Sequence, residues 1–407
     1  MNKNFVYDII PIMINENRNI SFLILTNCIN KIFDVFMTVF VISFMFNHSE
    51  NVEQIGTYNI IRGLVVGLLA YLTGSWLKRG GRLLMYKIGI LTTFVFMCAF
   101  ALFSDVMVQH IVLFGTLYGV MLAFKSFPNN LIRAEYISRH NLIKFQGYNE
   151  AAKNIVNIAA PVVLGFFLTM NSYLYTIEFL AFLSLIEFIV FSQIKIKKQQ
   201  TKKHFEFKKL LMQLRTIPFF KYVKYAEFCR GLTVDGALGT LITIYAVLLF
   251  KTDLNLGIMG ACFYAISIAL GLLFTRICKS HYFAKILLFS GFMSILSILV
   301  FVVMPHMAPF VFYNLCFSVA LMFVRIIGDI NIIKTSYLPK ISSQRVEFFA
   351  LREIILGVGR VLGYDIMVLV CVLGNILWLK YLLLCLTVFL MLACINCARV
   401  SNLFNNK

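Results

Sequence analysis

Phe283-Ala-Lys-Ile-Leu-Leu-Phe-Ser-Gly-Phe-Met-Ser-Ile-Leu-Ser-Ile-Leu-Val-Phe-Val-Val-Met304 holds a single charged residue, Lys285. As a helix this stretch rises about 33 Å, enough to cross a hydrocarbon core of roughly 30 Å. Eleven comparable runs surround it, at 20–46, 56–77, 84–104, 108–127, 150–170, 173–193, 228–250, 255–276, 308–331, 353–373 and 376–397. Each must be helical, because lipid offers no partner for an unpaired backbone group. The expected fold is therefore all-α and polytopic: twelve transmembrane helices in two six-helix bundles, residues 1–193 and 228–407. Residues 194–227 form a basic linker between them, with amphipathic character around Phe205, Phe207, Leu210, Leu211 and Leu214 that suits either a helix on the membrane surface or a simple tether of the halves.

Composition agrees. The 407 residues are 60% hydrophobic and 14% charged, with mean hydropathy +0.85, too little charge to wet a soluble surface. The formal net charge of +19 would suggest nucleic acid in a soluble protein, but its distribution marks topology. Lys78, Arg79, Arg82, Arg133, Arg139, Lys144, Lys195, Lys197, Lys198, Lys202, Lys203, Lys208, Lys209, Lys279, Lys334, Lys340, Arg345 and Arg352 fall in alternate loops. Residues 47–55 on the other side hold only Glu50 and Glu53. By the positive-inside rule both termini and the linker face the cytoplasm of a plasma membrane. The basic surplus adds attraction to anionic head groups, and nucleic acid is not an expected partner.

The ten cysteines are scattered, which argues against a disulfide framework, and Cys394 and Cys397 form a CxxC without a second pair. His48, His110, His140, His204, His281 and His306 lack ligand spacing. No metal, cofactor or enzymatic chemistry is expected, and the missing GxxxxGK[ST] motif argues against direct drive by ATP. The first run follows a polar start without a small-residue cleavage pattern and is expected to stay as the first span. Phe145-Gln-Gly-Tyr-Asn-Glu150 and Phe348-Phe-Ala-Leu-Arg-Glu353 repeat Phe and Glu at equivalent places before the fifth and eleventh spans, as an internal duplication would.

Gly74-Ser-Trp-Leu-Lys-Arg-Gly-Gly-Arg82 lies between the second and third spans. It resembles the signature loop of the major facilitator superfamily, roughly G-x-x-x-D-R-x-G-R, with Gly74, Arg79, Gly81 and Arg82 in register and Lys78 in the acidic slot. The resemblance implies a loop that holds one rocking state closed. With Lys78 in that slot the usual pairing cannot form, and Glu150 or a helix C-terminus is expected to receive these cations. Glu353 is its counterpart before the eleventh span. Tyr58-Asn59, Phe145-x-Gly147, Arg352-Glu353 and Gly359-Arg360 are similar to a bacterial branch labelled YQGE-type, which brings no substrate with it. Ala160-Pro161-Val-Val-Leu-Gly165 partly matches the GPxxGG pattern of proton-coupled exporters.

Ionisable groups at bilayer depth cost roughly 2.5–3.5 kcal/mol each by insertion scales, so each needs a partner, a cavity or a use. The first span carries Lys31 and Asp34 on one face, and the seventh carries Glu227, Arg230 and Asp235. The family resemblance implies that these two spans line a central pathway, with the fourth and tenth bordering it. Asp34 and Asp235 are then candidates for substrate or proton contact, or structural ions. Lys31 favours the charged form of Asp34, which leaves Asp235 as the stronger proton carrier. Lys125 faces the cavity or snorkels to the interface, and Arg360, two turns beyond Glu353, needs a carboxylate or an anionic substrate. Arg325 and Asp329 are expected to pair along their own helix, Arg62 to reach outer water, and Glu187 to sit at the interface.

The expected activity is secondary transport by alternating access, with protons exchanged for a small amphipathic compound on its way out. An importer or facilitator of an anionic metabolite, using Lys125 and Arg360, is the first alternative. A non-transporting sensor or assembly partner on a transporter scaffold is the second.

Overall fold

A computed structural model describes residues 18–42, 44–45, 52–103, 109–137, 141–194, 204–250, 266, 268–271, 273–274, 279–373 and 378–405. Among them every regular element is a helix. In chain order these are α1 (Arg18–Val35), continued by a π-helical turn at Phe36–Phe40, then α2 (Val52–Lys78), α3 (Arg82–Phe103), α4 (Ile111–Tyr136) and α5 (Leu142–Ser192). After them come α6 (Phe207–Arg215), α7 (Phe220–Leu232), a second π-helical turn at Thr233–Ala237, and α8 (Leu238–Phe250). The chain closes with α9 (Phe283–Val303), α10 (Met307–Ser336), α11 (Pro339–Ser342), α12 (Arg345–Leu373) and α13 (Trp378–Asn405).

Ten segments among the described residues are long and apolar enough to cross a membrane. Two of them, Leu142–Phe167 and Tyr175–Ser192, lie within α5. In a straight helix Asn149 and Glu187 would stand about 57 Å apart. Both instead return to one neighbourhood: Asn27 donates to Asn149 at 2.8 Å, while Asn30, one turn further along α1, meets Tyr86, whose hydroxyl donates to Glu187 at 3.1 Å. The run therefore doubles back as two spans. The seventh expected span is the broken helix α7–α8, and the eighth, 255–276, lies mostly outside the described residues, as do Lys251 and Cys262.

Several helices overrun the apolar runs at the face that carries the Lys78–Arg82 turn, called here the basic face. The fourth expected span stops at 127, but α4 continues to Tyr136 through Pro128 and Arg133. Similarly α7 begins at Phe220, α12 at Arg345, and α13 runs to Asn405. Hydropathy marks the hydrocarbon slab alone, and backbone hydrogen bonds carry the helices on into the polar layer.

The outward-facing stripes are apolar and the contacts between helices are small or polar, as lipid solvation dictates. On α2, Leu64, Leu68, Tyr71 and Leu72 are exposed, while Gly63 and Gly67 turn to α12. A Cβ on Gly357 would stand 3.1 Å from the Gly63 carbonyl oxygen, so any other residue there would push the two helices apart by a few tenths of an ångström. The opposite flank of α12 presses Gly359 and Gly363 onto the backbone of α7 around Phe228 and Leu232. Helix α12 thus lies where the second half meets the first, packed between α7 and α2, and its charged side chains reach both.

Candidate substrate pathway and gate

The first and seventh spans both depart from α-helical geometry beside a carboxylate. The π turn at Phe36–Phe40 follows Asp34 by two residues, and the turn at Thr233–Ala237 contains Asp235. Gly236 leaves helical geometry altogether (φ −119°, ψ −144°), which frees its carbonyl. Tyr364 of α12 donates to that carbonyl at 3.2 Å, and its hydroxyl also contacts Thr240 at 3.1 Å. The freed carbonyl thereby keeps a partner, as a break at this depth requires.

Four arginines and four carboxylates form one connected network in the second half. At mid-depth Asp235 lies 3.8 Å from Arg325 and 3.7 Å from Arg360, and all three side chains are partly exposed. Arg360 reaches on to Glu353 at 4.0 Å, and Glu353 lies 3.6 Å from Arg352. Arg352 then bonds Glu227 at 2.8 Å and Asp329 at 3.0 Å. Arg230 closes the set, 3.1 Å from each of those two carboxylates. Among the described residues neither Asp235 nor Arg360 makes a side-chain hydrogen bond, whereas the Glu227 end is hydrogen-bonded and buried. The network passes from a loose, solvent-reachable end to a tight, buried one.

The expected Arg325–Asp329 pair does not form. Arg325 turns to Asp235 and to the Val234 carbonyl, while Asp329 goes to Arg230 and Arg352. Asp329 gains two close guanidinium partners, from α7 and α12, in place of one i, i+4 neighbour, which leaves Arg325 to Asp235 in the π turn.

In the first half Lys125 neither faces the cavity nor snorkels. It is buried, donates to Glu187 at 2.7 Å and stands 4.9 Å over the Phe33 ring. Glu187 is fully buried instead of interfacial, because α5 doubles back and brings it under α4. Arg62 does not reach outer water either. It is buried between the Tyr118 and Tyr364 rings, 5.3 and 5.7 Å from their centroids, where cation–π contact takes the place of a carboxylate. Lys31 and Asp34 stand 3.7 Å apart, with Asp34 40% exposed. Among the described residues no group of three or more His, Cys, Asp or Glu side chains is placed to hold a metal ion.

The basic face is closed by contacts between the halves. Lys78 pairs with Glu347 of α12, both buried, and Asn130 of α4 donates to Glu353 at 3.0 Å. The Tyr337 hydroxyl lies 2.7 Å from the Ala134 carbonyl and 2.9 Å from that of Ile137, sharing its proton between them. Arg82 pairs with Glu135, and Arg79 is exposed. Glu150 goes to Lys153 on its own helix, so the cations of the signature turn find Glu347 and Glu135 instead. Gly74 packs on the Phe205 ring and Gly81 on Trp76, while the left-handed conformation falls to Gly80 (φ 95°). The Glu206 N–H donates to Glu347 Oε1 at 3.0 Å. The carboxyl of Glu206 hydrogen-bonds the Lys209 ammonium, which holds it below the usual carboxylate range.

Glu347→Gln removes the charge that answers Lys78 and is expected to shift the balance of open and closed basic faces by roughly tenfold, about 1.4 kcal/mol. Distances between spin labels at Ser75 and Ser343 would lengthen, and Lys78→Glu combined with Glu347→Lys would restore them.

A polytopic helical protein with broken helices beside intramembrane carboxylates has the features of a membrane transporter. The profile of the Major Facilitator Superfamily matches residues 23–364, and the chain belongs to that family of transporters; it is not an enzyme. It is 22% identical over 359 residues to the uncharacterized protein YqgE of Bacillus subtilis (strain 168), spanning 86% of this chain and 82% of that protein. This relative bears out the resemblance to the YQGE-type branch. Two solved structures share the fold. A bacterial homologue of the iron transporter ferroportin, in an outward-facing state, aligns with TM-score 0.69 and 16% identity over 95% of this chain and 98% of its own. The human organic anion transporter MFSD10 (TETRAN) aligns with TM-score 0.71 and 10% identity over 94% and 99%.

Proposed function

We propose that this transporter carries a small organic anion, as an importer or facilitator, with Arg325 and Arg360 as the counter-charges. One observation carries the reading: two partly exposed guanidinium groups flank Asp235 at mid-depth, at 3.8 and 3.7 Å, beyond hydrogen-bond range. A carboxylate or phosphate can take the planar, bidentate contact that Asp235 leaves unmade. Arg360 also reaches Glu353, the acceptor of Asn130 from the other half. An anion that draws Arg360 away therefore loosens a contact that keeps the basic face shut, linking loading to the change of access. MFSD10, named as an organic anion transporter, indicates that the architecture accommodates such cargo. Lys125, committed to Glu187, has no part in this site.

Thermal stabilisation of the purified protein by a panel of carboxylates and organic phosphates tests the reading. Arg360→Gln is expected to weaken binding of the stabilising anion roughly tenfold to hundredfold, the loss of one charge-assisted contact. Asp235→Asn is expected to bind as well or better. Stabilisation by organic cations alone, or an anion shift untouched by Arg360→Gln, would sink the proposal. Binding without flux into liposomes would favour the sensor.

Proton-driven export of an amphipathic compound is the second reading, and Asp34 favours it. That carboxylate is the more exposed of the two at mid-depth and has one loose partner, whereas two guanidinium groups already neutralise Asp235. Transport driven by a pH gradient that survives Asp34→Asn would remove it. In both readings residues 1–193 and 228–407 rock about the linker, with the basic face and both termini in the cytoplasm of the plasma membrane.

A further inference from the structure

Helix α6 (Phe207–Arg215) is held on the protein by one face, through buried Leu210 and Leu214. Its opposite face presents Lys208, Leu211, Met212 and Arg215, all exposed and spaced i, i+3, i+4, i+7, so they form one stripe with two apolar residues between two cations. Met212 is 66% exposed, a poor arrangement in water. It suits a bilayer interface, where apolar side chains dip below the head groups and long basic ones stay among the phosphates.

The depth of the helix supports the same surroundings. Just before and at its start, Phe205 and Phe207 pack on Tyr71, with ring centroids 6.0 and 5.3 Å away. Tyr71 belongs to the exposed apolar stripe of α2, with Leu64, Leu68 and Leu72, and lies about two turns inside the end of that helix. The linker thus meets the lipid-facing wall at interfacial depth. It is also tied to the gate: the Phe205 ring covers Gly74, and the Glu206 N–H caps the carboxylate that holds Lys78.

We infer that the Lys208–Leu211–Met212–Arg215 stripe is a docking surface for anionic lipid head groups, and that docking stabilises the state closed at the basic face. Lipid that binds α6 seated against α2 favours the conformation in which Glu347 is capped. The inference depends on neither the cargo nor its direction.

Hydrogen–deuterium exchange of the full chain in nanodiscs tests it, comparing phosphatidylcholine alone with discs that also contain phosphatidylglycerol. Each cation near an anionic surface strengthens docking roughly fivefold, so amides over 205–216 and 345–350 are expected to exchange roughly 25-fold more slowly in the anionic discs. The double variant Lys208→Gln/Arg215→Gln should lose that difference, Met212→Ser should lose part of it, and high salt should erase it. All three substitutions lie on an exposed face, so folding is not at stake. Equal exchange in the two lipids would overturn the lipid assignment. Slowing over 205–216 with 345–350 unchanged would overturn the link to the gate. Protection that appears only when membrane proteins are added would assign the stripe to a protein partner and overturn the proposal.

Discussion

Glu187→Ala is expected to destabilise the protein by about 3–5 kcal/mol, the cost of leaving a buried charge without its partner. The carboxylate accepts Lys125 at 2.7 Å and the Tyr86 hydroxyl at 3.1 Å, and both Glu187 and Lys125 are shut off from solvent. Its removal strands the ammonium among apolar neighbours, with the Phe33 ring as its remaining close contact. Lys125 is enclosed by its neighbours, so it cannot turn out to the interface without repacking them. Replacing both partners by apolar side chains of similar volume, Lys125→Met with Glu187→Leu, is expected to recover most of the loss, since the pair's own desolvation cost disappears with it. Thermal unfolding in detergent, followed by the surviving monodisperse fraction, checks this. A single variant that melts with the parent would mean that Lys125 finds another partner.

Glu227→Ala should have an effect of similar size, with a different signature. Glu227 accepts both Arg230 and Arg352, and its loss leaves those two guanidinium groups to share Asp329 and the more distant Glu353. The four-against-four balance of the network is then broken by one unit, again at about 3–5 kcal/mol for a buried site. Because the network runs through Arg352 and Glu353 to Arg360, the damage should also reach mid-depth. Anion binding by Glu227→Ala is expected to change, whereas Glu187→Ala should leave it alone once both are compared well below their melting temperatures. Glu227→Gln, which keeps the acceptor oxygen but not the charge, should fall between parent and alanine. An alanine variant that binds anions as the parent does would disconnect the two ends of the network.

The split between what is legible in a string and what is not follows charge more closely than helix. Asp34 and Asp235 stand out at once as carboxylates in apolar runs, and their depth needs no coordinates. Their partners are another matter. Arg325 and Asp329 sit at ideal helical spacing, yet each is claimed from another helix. Local spacing is worth only a few tenths of a kcal/mol, which contacts from other helices readily outweigh. Glu347 and Glu135 attract no notice beside loops and helix ends, and they are what the signature turn binds. Arg62 looks like a residue near outer water until two tyrosines, one from each half, enclose it.

By itself the amino-acid sequence determined that this is a polytopic helical membrane protein of the major facilitator type, because twelve apolar runs leave the backbone no other way to satisfy itself in lipid, and the turn at Gly74–Arg82 names the family. Local spacing places Lys31 beside Asp34 and Arg230 beside Glu227, but only tertiary structure decided which charges meet across helices. That choice depends on how α5 doubles back, on where Gly236 breaks the seventh span, and on how closely Gly63 and Gly357 let α2 approach α12. Apolar burial is additive along a chain and can be summed from composition. Pairing of buried charge between helices is settled by distances of a few ångströms between segments remote in sequence, and no local pattern records those.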